Sequence, residues 1–283
     1  LVYGLMVLGV FITFRVLDFP DLTVDGSFPL GASIMAVMLV NNINPFFALL
    51  IVFAAGVAAG SVTAIIHNKL KVPNLLAGIL TMTMLYSINI RILQNRANIP
   101  LLKTETMITK VTALTEGIIP ESIAVLLLFL VIVIIFKSLL DLFFHTDLGL
   151  TLGAMGDNEQ MVITQGVNPE IMKIIGVGLS NGLVALSGAF AAQYLGFADV
   201  NMGIGIVITG LASIMIGEFL FHSSKISMLT LRVLLGAVLF KGIMYIGRYY
   251  GYYINMTPND LKLITGILII LSLIISKAKK RAG

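Results

Sequence analysis

Apolar runs at 1–17, 28–41, 45–66, 73–92, 121–140, 171–195, 202–220, 227–249 and 261–277 alternate with short polar segments. The run from Ile123 to Phe136, IAVLLLFLVIVIIF, is apolar on every face. Strands of a membrane barrel alternate apolar and polar side chains, so an all-round apolar run predicts a helix. A helix needs roughly 20 apolar residues to cross a bilayer, and 283 residues with their connections allow about eight to ten crossings. The pattern therefore predicts an all-α fold, a polytopic transmembrane helix bundle with about nine membrane segments, in a single domain over 1–283.

The interruptions say more than the runs. Phe19-Pro20-Asp21-Leu22-Thr23-Val24-Asp25-Gly26-Ser27-Phe28-Pro29, with Asp18 just before it, places acids and two prolines between the first two runs. An acid inside a membrane costs about +2.5–3.5 kcal/mol, so such groups persist where they face water, a solute or a partner. A solvated surface loop satisfies that condition, and so does a broken or re-entrant helix near the N-terminus that lines a pathway. The paired prolines favour the break, as does an echo at Phe197-Ala198-Asp199-Val200-Asn201, which also precedes a Gly-bearing apolar run. Leu75–Leu80 and Leu234–Leu239 echo each other in the same way, and half-to-half repeats are common in transporters.

Asn181 and Gln193 lie within one apolar run, where a polar side chain either bonds across helices or lines a pathway. The candidate pathway residues are thus Asp18, Phe19, Asp21, Asp25, Asn181, Phe197 and Asp199. The phenylalanines could stack an aromatic solute while carboxylates meet its ammonium, or simply pack on neighbouring helices. Small residues stud the two runs from 171 to 220: Gly176, Gly178, Ser180, Gly182, Ser187 and Gly188, then Gly203, Gly205, Gly210, Ser213 and Gly217. In lipid they let helix backbones approach closely, for static packing or for sliding.

A second interruption, 150–170, has helix punctuation of its own. Asp157 is placed to cap a short helix over 158–165 with Glu159 in its first turn, and Gly166 ends it. Asn168-Pro169-Glu170 then starts the next membrane helix. A short capped helix between two crossings is a rigid peg suited to passing force to a soluble partner; it is equally an ordinary connection.

Composition agrees with the pattern. Hydrophobic residues make up 58% and charged residues only 11%, against about 25% charged in soluble domains. The formal net charge is +4, and Lys277, Lys279, Lys280 and Arg281 in the tail supply much of it. A basic tail beside an apolar helix marks a cytoplasmic end facing anionic lipid and does not call for nucleic acid. That orientation puts 67–72, 141–170 and 221–226 inside, with 41–45, 92–120, 196–201 and 250–260 outside. Arg91, Arg96, Lys103 and Lys110 then sit outside, against the positive-inside rule. The chain opens on Leu1 within an apolar run, which predicts that a short piece precedes it.

No catalytic constellation is present. The sequence has no cysteine, no G-x-x-x-x-G-K-[ST] phosphate loop, no His-Glu-x-x-His and no G-x-S-x-G. Glu218 and His222 stand four apart, but two ligands make a poor metal site, and a contact at a helix end explains them better.

Gly156-Asp157-Asn158-Glu159, followed by Gly166-Val167-Asn168 and Lys173, resembles the cytoplasmic docking segment of permease subunits in bacterial ABC importers of the branched-chain amino acid and ribose permease family. The basic turn Asn68-Lys69-Leu70-Lys71-Val72-Pro73, the stretch from Ala198-Asp199 to Gly217 and the last run with its basic tail fall in matching order. The run from Asp18 to Ala32, DFPDLTVDGSFPLGA, is closest to a subgroup associated with uptake of aromatic amino acids or related small solutes.

The resemblance implies a multi-pass protein of a bacterial cell membrane, a transport subunit and not an enzyme. Its implied partners are a second copy of the chain, an ATP-binding ABC subunit, an extracellular solute-binding protein and membrane lipid. No cofactor is implied in this chain, because ATP and magnesium belong to the partner ATPase. It makes Gly156, Asp157, Asn158, Glu159, Gln160 and Gly166 the ATPase-coupling residues. An ion- or proton-coupled secondary transporter working through Asp18, Asp21 and Asp25, or a channel lined by the Gly-rich helices, remains the rival reading of the same residues.

Overall fold

A computed structural model of the chain describes residues 1–251 apart from 103, 222 and 224, together with 263, 266, 267 and 270. Helix α1 (Gly4–Phe11) continues into a π-helical turn, Ile12–Val16, and is followed by α2 (Val24–Val40), α3 (Pro45–Leu70) and α4 (Asn74–Ile92). After β1 (Asn98–Pro100) come α5 (Met107–Leu114), α6 (Glu121–Phe144), α7 (Asp147–Asp157), α8 (Glu159–Thr164) and α9 (Pro169–Leu195). Last are β2 (Phe197–Asp199), α10 (Ile206–Leu220) and α11 (Ile226–Gly251). The first eight apolar runs are all helical. The run at 261–277, its start signal Thr257–Asp260, the basic tail and His222 fall wholly or largely outside the described residues.

Among the described residues, five helices are long and apolar enough to cross a bilayer: α3, α4, α6, α9 and α11. Shorter apolar helices cover Gly4–Val16, Val24–Val40 and Ile206–Leu220. The result is a polytopic helical membrane protein. The all-α expectation needs one correction. Strands β1 and β2 pair antiparallel, with Ile99 opposite Ala198 and Asn98 opposite Asp199. Three-residue strands, one ending in proline, carry no period that a sequence pattern can reveal.

Helix α9 is the axis of the bundle, and α1, α2 and α3 pack on it. Asn168 starts it: the side-chain carbonyl accepts from the Glu170 N–H at 2.9 Å, with Pro169 in the first turn. Glycines explain the close packing. A Cβ on Gly31 would collide with the Ala185 carbonyl, one on Gly188 with the Phe28 carbonyl, and one on Gly60 with the Val177 carbonyl. Helices α2 and α3 therefore lie backbone to backbone on α9, and dispersion contact replaces the hydrophobic drive that lipid removes. The small-residue stripe serves tight packing.

The two ends of the bundle differ. At one end Lys69 and Lys71 reach Glu170 at 3.5 and 3.4 Å, and the Asn68 amide donates to the Glu170 carbonyl at 3.0 Å. The basic turn and the 150–170 segment thus share an end, as the predicted orientation requires. The ribbon joins 98–100 to 197–199, which also share a predicted side.

Candidate functional site: a buried polar break and a capped segment

The chain between Val16 and Val24 is not helical, yet it is not a solvated loop. Phe19 is 2% exposed, and Asp21 and Thr23 are fully buried. The π-turn prepares this break. Leu17 donates its N–H to the Ile12 carbonyl, five residues back, at 2.9 Å, and Phe19 donates to the Thr13 carbonyl at 2.8 Å. Asp18, at φ 48°, reverses the chain and points its own side chain outward. Phe19 then packs edge-on against His67, with ring centroids 5.2 Å apart.

Asp21 sits in a polar node. One carboxylate oxygen accepts from the Asn181 amide at 2.7 Å, and the other accepts from the Thr23 N–H at 2.8 Å. Asn181 lies twelve residues into α9, roughly 18 Å along its axis. Its amide also donates to the Val177 carbonyl at 2.9 Å, and its oxygen accepts from the Ser27 hydroxyl at 2.7 Å. The Thr23 and Thr63 hydroxyls bond each other at 2.7 Å. One connected group of polar side chains thus joins the break, α2, α3 and α9 within an apolar bundle. Each of these side chains is paired, as burial away from water requires.

The remaining pathway candidates lie elsewhere. Asp25 is in the first turn of α2, where its carboxylate accepts from the N–H groups of Gly205 and Val207 at 3.0 and 2.9 Å. It caps α10 from 180 residues away in sequence, its charge at the positive end of that helix. Pro29 cannot donate to the Asp25 carbonyl, and that carbonyl faces Gly203, where a Cβ would collide with it. Phe197 and Asp199 belong to the ribbon, opposite Pro100 and Asn98. What the echo does preserve is local: Asp199 accepts from the Asn201 N–H at 2.7 Å, as Asp21 does from Thr23. Both are Asx turns ahead of a shortened helix.

The 147–170 segment is a pair of capped helices. Thr146 caps α7, accepting from the Gly149 N–H at 3.3 Å. Asn158, not Asp157, caps α8, accepting from Met161 at 3.1 Å. Asp157 and Asn158 are chemically equivalent caps; helix α7 runs through Asp157, so Asn158 is the first residue free to turn out of the helix. Gly166, at φ 82°, ends α8 as expected. Glu159 reaches Lys173 of α9 at 2.9 Å, which ties the peg to the central helix. Asp157, Asn158, Gln160 and Gly166 are exposed; Gly156 is packed inward.

The sequence reading missed Thr23, Ser27 and Thr63, because hydroxyls in membrane helices usually just bond their own backbone, as Thr81 does to Ala77. It also missed Arg15 and Arg232, which flank Glu218 at 2.7 and 3.5 Å and account for that acid as an interhelical ion pair. Among the described residues no cluster of three or more potential ligands is placed to hold a metal ion.

Residues 1–273 match the family model described as branched-chain amino acid transport system / permease component. The chain belongs to this family. It is therefore a permease component of a transport system, not an enzyme. A protein of Clostridioides difficile (strain R20291) called tyrosine transport system permease protein is 45% identical over 95% of this chain and 86% of its own. The uncharacterized protein RP368 of Rickettsia prowazekii (strain Madrid E) is 34% identical over 95% of this chain and 91% of its own. No solved structure matches the permease.

Proposed function

We propose that this permease is the membrane subunit of an ATP-driven bacterial importer for a small amino acid, with an aromatic amino acid such as tyrosine as the solute. The peg at α7 and α8 carries the reading: a rigid, doubly capped segment exposes Asp157, Asn158, Gln160 and Gly166 while Glu159 and Lys173 fasten it to the axis of the bundle. A segment that only joined two crossings would not need two caps and an ion pair to hold its shape. Two ATPase subunits press on the pegs of a permease dimer, ATP binding brings them together, and the bundle alternates access to a solute delivered by an extracellular binding protein. The Asp21–Asn181 node, buried among the helices here, is the polar group that a change of access would uncover to the solute in mid-bundle. The tyrosine assignment takes its support from the 45% identical relative.

The test is uptake of labelled tyrosine in proteoliposomes holding the permease, its ATPase and the binding protein, with ion gradients collapsed. Uptake that follows ATP is expected. Uptake that ignores ATP and stops with the gradients would replace this reading with ion coupling at Asp21. Within the assembly, Glu159→Ala is expected to lower uptake about tenfold or more while ATP hydrolysis continues, an uncoupling worth about 1.4 kcal/mol per tenfold. Full coupling in that variant would count against the peg.

A further inference from the structure

The peg does not end at α9. Gly156, in the last turn of α7, lies directly on the backbone at the end of the π-turn: a Cβ there would collide with the Val16 carbonyl oxygen and approach the Leu17 carbonyl carbon. One turn earlier, Leu152 is fully buried and meets Leu17 across Gly176 of α9, with leucine methyls of both near that glycine. Residues 16 and 17 are the last before the break. From Leu17 the chain passes through Asp18 and Phe19 to Asp21 within four residues, so the peg and the polar node are joined by a few backbone units.

The π-turn gives that join a freedom that an α-helix lacks. Its i+5 bond holds one more residue than an α-turn, and the Phe19 N–H returns to Thr13 and not to a helical partner. On its other side Arg15 is held by Glu218 of α10, and that glutamate also faces Arg232 of α11. The end of α1 is therefore gripped by the peg and by the α10–α11 pair together.

We propose that the Gly156–Val16 contact is the route by which force on the peg reaches the polar break, with Gly156 acting as a positioning residue. This rests on the importer reading above. Movement of α7 carries Val16 and Leu17 with it, the π-turn absorbs the change, and Asp21 is drawn away from Asn181. Gly156 is glycine because any side chain would separate the two backbones and remove the contact.

Two experiments test this. The chain has no cysteine, so spin labels can be set at Leu150→Cys on α7, Asp18→Cys beside the break and Val62→Cys on the exposed side of α3, in the assembled importer. On adding ATP with a hydrolysis-deficient ATPase, the 150–18 distance should stay constant while the 18–62 distance changes. A change in 150–18 with 18–62 constant would overturn the proposal, since the peg would then move without the break. If neither distance responds although ATPase and permease co-purify, the peg does not transmit and the proposal fails. If the two subunits do not associate at all, it is the importer reading that fails.

Second, Gly156→Ala, in an importer that still co-purifies with its ATPase, should lose tenfold or more of the factor by which loaded binding protein stimulates hydrolysis, measured against the same preparation without binding protein. Undiminished stimulation in a folded Gly156→Ala importer would overturn the assignment.

Discussion

Helices α6 and α9 are both long and apolar, and they use that character in opposite ways. Helix α6 has the higher mean hydropathy, 3.1 against 1.7, yet 22% of its most apolar window is buried where 83% of α9's is. In water the greasier helix would be the inner one. In lipid the order reverses, because hydrocarbon tails solvate leucine as well as a protein core does, and close packing and hydrogen bonding decide what goes inside. The glycines, serines and Asn181 of α9 mark the centre, and the leucines and isoleucines of α6 mark the rim.

The contrast can be broken or sharpened by substitution. The largest effect is expected at Gly188→Val, where new methyls drive into the Phe28 carbonyl: a loss of about 3 kcal/mol, seen as loss of monodisperse protein in detergent or a shifted unfolding midpoint. Next comes Asn181→Ala, which leaves the buried Asp21 carboxylate short of a donor and Ser27 without its acceptor, at a cost of about 2 kcal/mol by the same midpoint. Because Asp21 keeps the Thr23 N–H, the variant should still fold, and its uptake can then be compared with its stability. The smallest effect is expected at Leu126→Ala on α6, a half-exposed position where the change should stay within about 0.5 kcal/mol. If Leu126→Ala proved as costly as Asn181→Ala, the division into rim and axis would be wrong, and α6 would have a protein neighbour.

The helical runs were legible because each is a single physical quantity, apolar length, summed over about 20 residues. Helix α7 was not, since LTLGAMGD carries two glycines and reads as connection; its helicity comes from the Thr146 cap and from burying Leu152 and Met155. Asp21 and Asn181 were each singled out as polar residues out of place, but their partnership spans 160 positions and left no local trace. Asp25 was grouped with Asp21 on proximity alone. Asp21 lies in the non-helical break and bonds Asn181 of α9, whereas Asp25 lies in the first turn of α2 and bonds the start of α10, so neighbours in sequence serve different helices. Gly156 was recognised through the docking motif, whereas its contact with Val16 has no sequence signature at all.

The Asp25 cap also bears on how the protein is made. Helix α10 is 15 residues long, and its first N–H groups are satisfied by a carboxylate that left the ribosome some 180 residues earlier. Until α2 stands beside it, the start of α10 exposes bare donors to hydrocarbon, each costly by several kcal/mol. Assembly is therefore ordered: α2 must already be in the bilayer, waiting, when the second half of the chain emerges. A permease cut into two separately expressed halves should insert its α10 correctly only when the first half is present in the same membrane.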